Sequence, residues 1–161
     1  MKRLCCILLI LSLFLCGCSK EDEVVFYYWP SDYLSEAQSS LLVPEVRTVT
    51  GYTENLPFLI SLYLSGPTDP ELLSPFPVGT KLYYTTTELP NITVHLQDLP
   101  ENMTDAEYTL ACACLSMTVM ELTGAETVTV VCGNRSVTID PSMLILYDEP
   151  TPSATITGGT Q

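Results

Sequence analysis

The chain divides by the period of its apolar positions. Leu4 to Leu15 is apolar throughout except for Ser12 and follows Lys2 and Arg3. A span of that length is too short to cross a bilayer, which takes about twenty residues, and suits the apolar centre of an export signal. Val24 to Trp29 is aromatic and β-branched, which predicts a strand ending at Pro30. Leu41 to Val49 also reads as extended, and Pro44 inside it calls for an edge position. Between Asn55 and Leu64 the spacing changes. Leu56, Leu59, Ile60, Tyr63 and Leu64 recur at i, i+3, i+4, i+7 and i+8, one stripe of a helix stopped by Gly66 and Pro67. Pro67 to Pro77 carries four prolines and is expected to be a surface loop without regular structure.

Alternation returns in Thr80 to Thr87 and Asn91 to Gln97, which predict a hairpin. A three-residue loop, Leu89-Pro90-Asn91, would align Leu82, Tyr84 and Thr86 with Leu96, Val94 and Ile92 on one face. Thr104-Asp105-Ala106-Glu107 is a capping box opening a second helix that reaches about Leu122 and stops at Gly124. That helix is apolar almost all round, so it should be largely buried. Thr127 to Cys132 and Arg135 to Asp140 form a second hairpin about Gly133-Asn134, pairing Val130 with Val137 and Val128 with Ile139. The order β, β, α, ββ, α, ββ implies an α+β domain with two helices packed on one face of a small mixed or antiparallel sheet. Residues 18–23 read as a tether, 24–147 as a single domain and 148–161 as a disordered tail rich in Pro, Ser, Thr and Gly.

Composition sharpens this picture. The formal net charge is −13, and loss of the leader would leave the domain more acidic still. No basic stripe is present, so nucleic acid is not an expected partner. The signal-like run ends in Leu15-Cys16-Gly17-Cys18, which looks like the lipobox of bacterial lipoproteins. Small residues there admit the peptidase, and the Cys18 thiol would take up the diacylglyceryl group. Residues 1–17 would leave as the signal, and the protein would sit on the outer face of the cell membrane by its lipid. Three thiols then remain to account for, Cys112, Cys114 and Cys132. Cys112 and Cys114 lie about 200° apart on their helix and cannot bond each other, because two helical steps separate them. Either one could reach Cys132 in an oxidising compartment, or all three are buried thiols.

The placed elements resemble the GerMN domain of spore-germination and sporulation lipoproteins. The matching residues run from Val24 to about Asp140: the opening strand, Leu42-Val43-Pro44-Glu45 with Arg47, Leu64-Ser65-Gly66-Pro67, and Pro77-Val78-Gly79-Thr80-Lys81-Leu82. Pro44, Glu45, Arg47, Gly66, Pro67, Pro77, Gly79 and Thr80 are the motif positions and candidate interaction residues. The resemblance implies a fold like the ring-building motifs of channel proteins and a non-catalytic part in extracytoplasmic assembly, in sporulation or germination. Leu89-Pro90-Asn91 departs from the glycine-containing turn of the family, and the chain has room for one such domain where well-known members carry two.

Candidate chemistry is sparse. His95 is the only histidine and alternates onto the polar face of its strand with Thr93 and Gln97. No nucleophile elbow, phosphate loop or dinucleotide fingerprint occurs, and no metal or other cofactor is expected. Glu45 and Arg47, two apart on an extended segment, share a face and read as a structural pair. The competing reading is a ligand-binding lipoprotein that holds a cell-wall fragment or small solute in a pocket lined by Trp29, Tyr28 and Tyr83. For an envelope protein partner, the segment about Pro44 and the loop Pro67 to Pro77 are the expected contacts.

Overall fold

The computed structural model describes residues 21–32, 41–97 and 103–143. The expected signal, Cys18 and the C-terminal tail lie outside the described residues. Strand β1 (Glu21–Pro30) pairs antiparallel with β2 (Val43–Thr50), from Glu21 opposite Thr50 to Tyr28 opposite Val43. β1 therefore begins three residues earlier than the hydrophobic pattern suggests. Glu21, Asp22 and Glu23, read as tether, are strand because backbone pairing with Thr50, Val49 and Thr48 needs no apolar side chain. β2 is an edge strand, which accommodates Pro44.

Helix α1 (Leu56–Leu64) starts at Asn55, whose side chain accepts from the Phe58 amide, and has Pro57 in its first turn. It buries Leu59, Ile60 and Tyr63. The proline-rich segment that follows is not wholly irregular. Leu72–Leu73 forms β3, pairing with Trp29 and Pro30 at the end of β1 and completing a three-stranded sheet, β2-β1-β3.

A second, four-stranded sheet has the order β4-β5-β6-β7, from β4 (Leu82–Glu88), β5 (Asn91–Leu96), β6 (Thr127–Cys132) and β7 (Arg135–Ile139). β5 and β6 run parallel because helix α2 (Asp105–Thr123) makes the crossover between them. The capping box at Thr104 forms as expected, and Gly124 ends the helix in the left-handed conformation at φ 71°. The β6–β7 register matches the expectation, with Val130 opposite Val137 and Val128 opposite Ile139.

Two expectations are corrected, the single sheet and the three-residue β4–β5 loop. The strands form two sheets, and α2 packs against β1 of one and against β6 and β7 of the other. This explains its nearly continuous apolar surface: Ala111 to Ser116 are all buried. β4 and β5 turn through two residues, Leu89 and cis-Pro90, not three, so Thr87 faces Ile92 and Thr85 faces Val94. Tyr84 then falls opposite His95, off the apolar face. A bulge between Leu82 and Tyr84 shifts the register by one residue and returns Leu82 to a place opposite Leu96.

Candidate functional site

Glu45 and Arg47 occupy the inward face of β2, beside Val43 and Val49, where a strand with period two places every second side chain. Glu45 is 8% exposed. Its Oε1 accepts hydrogen bonds from the Thr68 amide at 2.8 Å, the Thr68 hydroxyl at 2.6 Å and the Asp69 amide at 2.8 Å. Its Oε2 accepts from Arg47 Nε at 2.6 Å. Burial pushes the carboxyl pKa up, but the bonds from the Thr68 hydroxyl, the Asp69 amide, Arg47 and the Thr68 amide together bring it below the usual carboxylate value.

Arg47 extends the network to two more elements. Nη2 donates to the carbonyl of Gly66, just past α1, at 2.6 Å, and to the Tyr28 hydroxyl on β1 at 3.1 Å. The guanidinium lies 5.1 Å from the Phe26 ring centroid and 5.5 Å from that of Tyr28. Tyr28 donates to the Tyr63 carbonyl at 3.0 Å and stacks on the Tyr63 ring at 4.8 Å. Three of the motif positions, Glu45, Arg47 and Gly66, therefore meet at one junction of β1, β2, α1 and the proline-rich loop.

The remaining motif residues divide. Thr80 closes its own turn: both its amide and its hydroxyl donate to the Pro77 carbonyl, at 3.1 and 2.8 Å, with Gly79 at φ 94° between them. This turn faces Gly66 and Pro67 across an open groove of about 650 Å³, with Val78 fully exposed at its side. Pro44 is exposed and lies opposite Tyr27 in the β1–β2 pair, away from the clamp.

The aromatic pocket expected for a ligand is not assembled. Tyr28 and Trp29 are core residues, whereas Tyr83 is exposed on the four-stranded sheet. There it meets Tyr84, and Tyr84 stacks on His95 with centroids 4.0 Å apart and planes 16° apart. This stacked pair was not anticipated from the sequence, because it follows from the two-residue turn that sets Tyr84 opposite His95. His95 does take the polar face with Thr93, and no nucleophile accompanies it in that stack. Cys112, Cys114 and Cys132 are all buried, and burial pushes the thiols of Cys112 and Cys114 up to about 12. Of the two cysteine readings, the three buried thiols are the one observed. Among the described residues no group of acidic, His and Cys side chains has the arrangement of a metal site.

Two layers of strand about a buried crossover helix, held by a charged clamp at a strand edge, define a small α+β domain. Its fold is that of a GerMN domain. The tandem GerMN domains of the sporulation protein GerM from Bacillus subtilis superimpose with a TM-score of 0.56 at 14% identity, over 75% of this chain and 42% of that one. The chain thus spans less than half of the tandem structure. A candidate lipoprotein from Clostridium perfringens aligns with a TM-score of 0.44 at 15% identity, covering 71% of this chain and 76% of that one. No family model matches the sequence, and no match was found among curated proteins.

Proposed function

We propose that the protein is a lipoprotein of the cell envelope, anchored through Cys18, whose GerMN-like domain is a non-catalytic module for protein–protein assembly in sporulation or germination. The observation that supports this most directly is the clamp. The residues that carry the sequence resemblance, Glu45, Arg47 and Gly66, are joined in one buried network on a backbone similar to that of GerM. They hold β1, β2 and α1 together and leave their neighbours in the loop and the Val78 turn free to meet a partner. The Leu15-Cys16-Gly17-Cys18 sequence supports the anchor, and no helix among the described residues is long and apolar enough to cross a membrane.

Photo-crosslinking in cells from Val46 and Val78, both exposed, tests the reading. A discrete adduct with one envelope protein is expected, and it should vanish when Cys18→Ala releases the chain from the membrane. Absence of any adduct from either position, with the domain folded and localised, contradicts the assembly role.

A further inference from the structure

β1 starts at Glu21, and only Ser19 and Lys20 separate it in sequence from Cys18. Three chain steps reach at most about 11 Å. An acylated Cys18 holds its own backbone at the membrane interface, where the polar layer is itself roughly 5–8 Å deep. With Cys18 acylated, the Glu21 end of the domain would lie within reach of the lipid headgroups. The ten residues of β1 carry its Trp29 end roughly 30 Å away.

That near end carries three exposed large apolar side chains. Tyr52, in the connection from β2 to α1, is 69% exposed, Leu89 in the β4–β5 turn 65%, and Phe58 in the first turn of α1 40%. They come from three separate parts of the chain and converge. Tyr52 and Leu89 line one open hollow of about 890 Å³ together with Asp22, next to the start of β1. The Tyr52 and Phe58 rings lie 5.3 Å apart. Tyr52 also holds φ 61°, a region that an aromatic residue seldom occupies. Nothing in the core requires that ring, since it faces solvent.

We infer that Tyr52, Phe58 and Leu89 form a membrane-seating tip that enters the interfacial layer of the leaflet holding the Cys18 acyl chains and fixes the orientation of the domain. The acyl chains supply the attachment, and the tip determines which side of the domain faces outward. Aromatic and aliphatic side chains at the boundary between headgroups and hydrocarbon suit that role. Glu21, Asp22, Glu54 and Glu88 lie at the same end. Their charge limits the depth of seating and makes it weaken as anionic lipid is added at low salt. The consequence is an outward-facing distal end, where the Val78 turn and the groove beside Gly66 are presented to partners. The inference rests on the lipid-anchored reading of Cys18.

The test uses the full acylated chain in phosphatidylcholine vesicles with brominated acyl chains. Leu89→Trp and Val78→Trp are compared, with the buried Trp29 as a common background in both. The added emission of Leu89→Trp should be quenched at least twofold and shifted to the blue, while that of Val78→Trp stays unquenched. Adding Tyr52→Ser and Phe58→Ser to Leu89→Trp should reduce the quenching. Equal quenching, or none, at both positions overturns the inference. Vesicle flotation and intact mass on the same sample separate the two levels. Lipid on Cys18 with an unquenched Leu89→Trp defeats the orientation alone, whereas a chain that carries no lipid defeats the anchor and the tip together.

Discussion

Taking a carboxylate and a guanidinium out of water costs several kcal/mol apiece, and the cost is recovered only when every remaining polar atom finds a partner. Both oxygens of Glu45 meet that condition through Thr68, Asp69 and Arg47, and Arg47 gains further partners in Gly66 and Tyr28. Glu45→Gln removes the charge and leaves Arg47 without its counter-ion, so unfolding free energy at neutral pH should fall by about 3 kcal/mol in a denaturant titration. The pH dependence has a definite sign. The folded-state pKa of Glu45 is depressed, so its contribution is complete above the unfolded value of about 4.3 and is lost as pH falls through the lower folded value. The gap between wild type and Glu45→Gln should therefore narrow in acid. A gap unchanged down to pH 2 would show that the clamp is not electrostatic.

Between elements, one hydrogen bond shows how the two sheets are joined through α2. β3 pairs only with Trp29 and Pro30, so it does not reach the Tyr27 amide on that side of β1. The Thr118 hydroxyl of α2 accepts from that amide at 2.9 Å, and Thr118 is fully buried. Helix and strand are thus stitched directly where a longer strand would otherwise pair. Thr118→Val preserves shape and orphans the amide, which should cost about 1–3 kcal/mol, while Thr118→Ser should lose much less. Both are read by chemical denaturation, and equal losses would mean that the hydroxyl contributes only by volume. A similar exchange of one local rule for another occurs in β4. The two-residue turn sets Tyr84 opposite His95, off the apolar face, and the bulge after Leu82 gives up regular pairing to return Leu82 to the core.

For the whole molecule, three buried thiols sit inside a domain destined, on the proposed reading, for an oxidising compartment. Their protection comes from packing, since α2 is enclosed by both sheets. With Cys18 acylated and the leader gone, the mature protein should show no fast thiol toward an aromatic disulfide reagent at pH 8 in its native state. Three should appear in guanidinium. A fast native thiol would indicate a free Cys18 or an open core. On the proposed reading the anionic surface and the short link from Cys18 to β1 would act together, because charge alone would push the domain off an anionic bilayer while the link would hold one end of it down.

Much of this was legible in residue order. Both helices and their caps follow from the 3.6 period and from Asn55, Thr104 and Gly124, all of which act within one turn. The β6–β7 register follows from its two-residue turn, and the pairing of Glu45 with Arg47 from their spacing. What the tertiary structure alone decided involves groups distant along the chain. The division into two sheets about α2, the extension of β1 back to Glu21, the strand at Leu72, and the joining of Arg47 to Gly66 and Tyr28 are of this kind. Backbone hydrogen bonding accepts almost any side chain, so pairing of that sort leaves no hydrophobic period to read. It is settled only when packing brings the partners within reach.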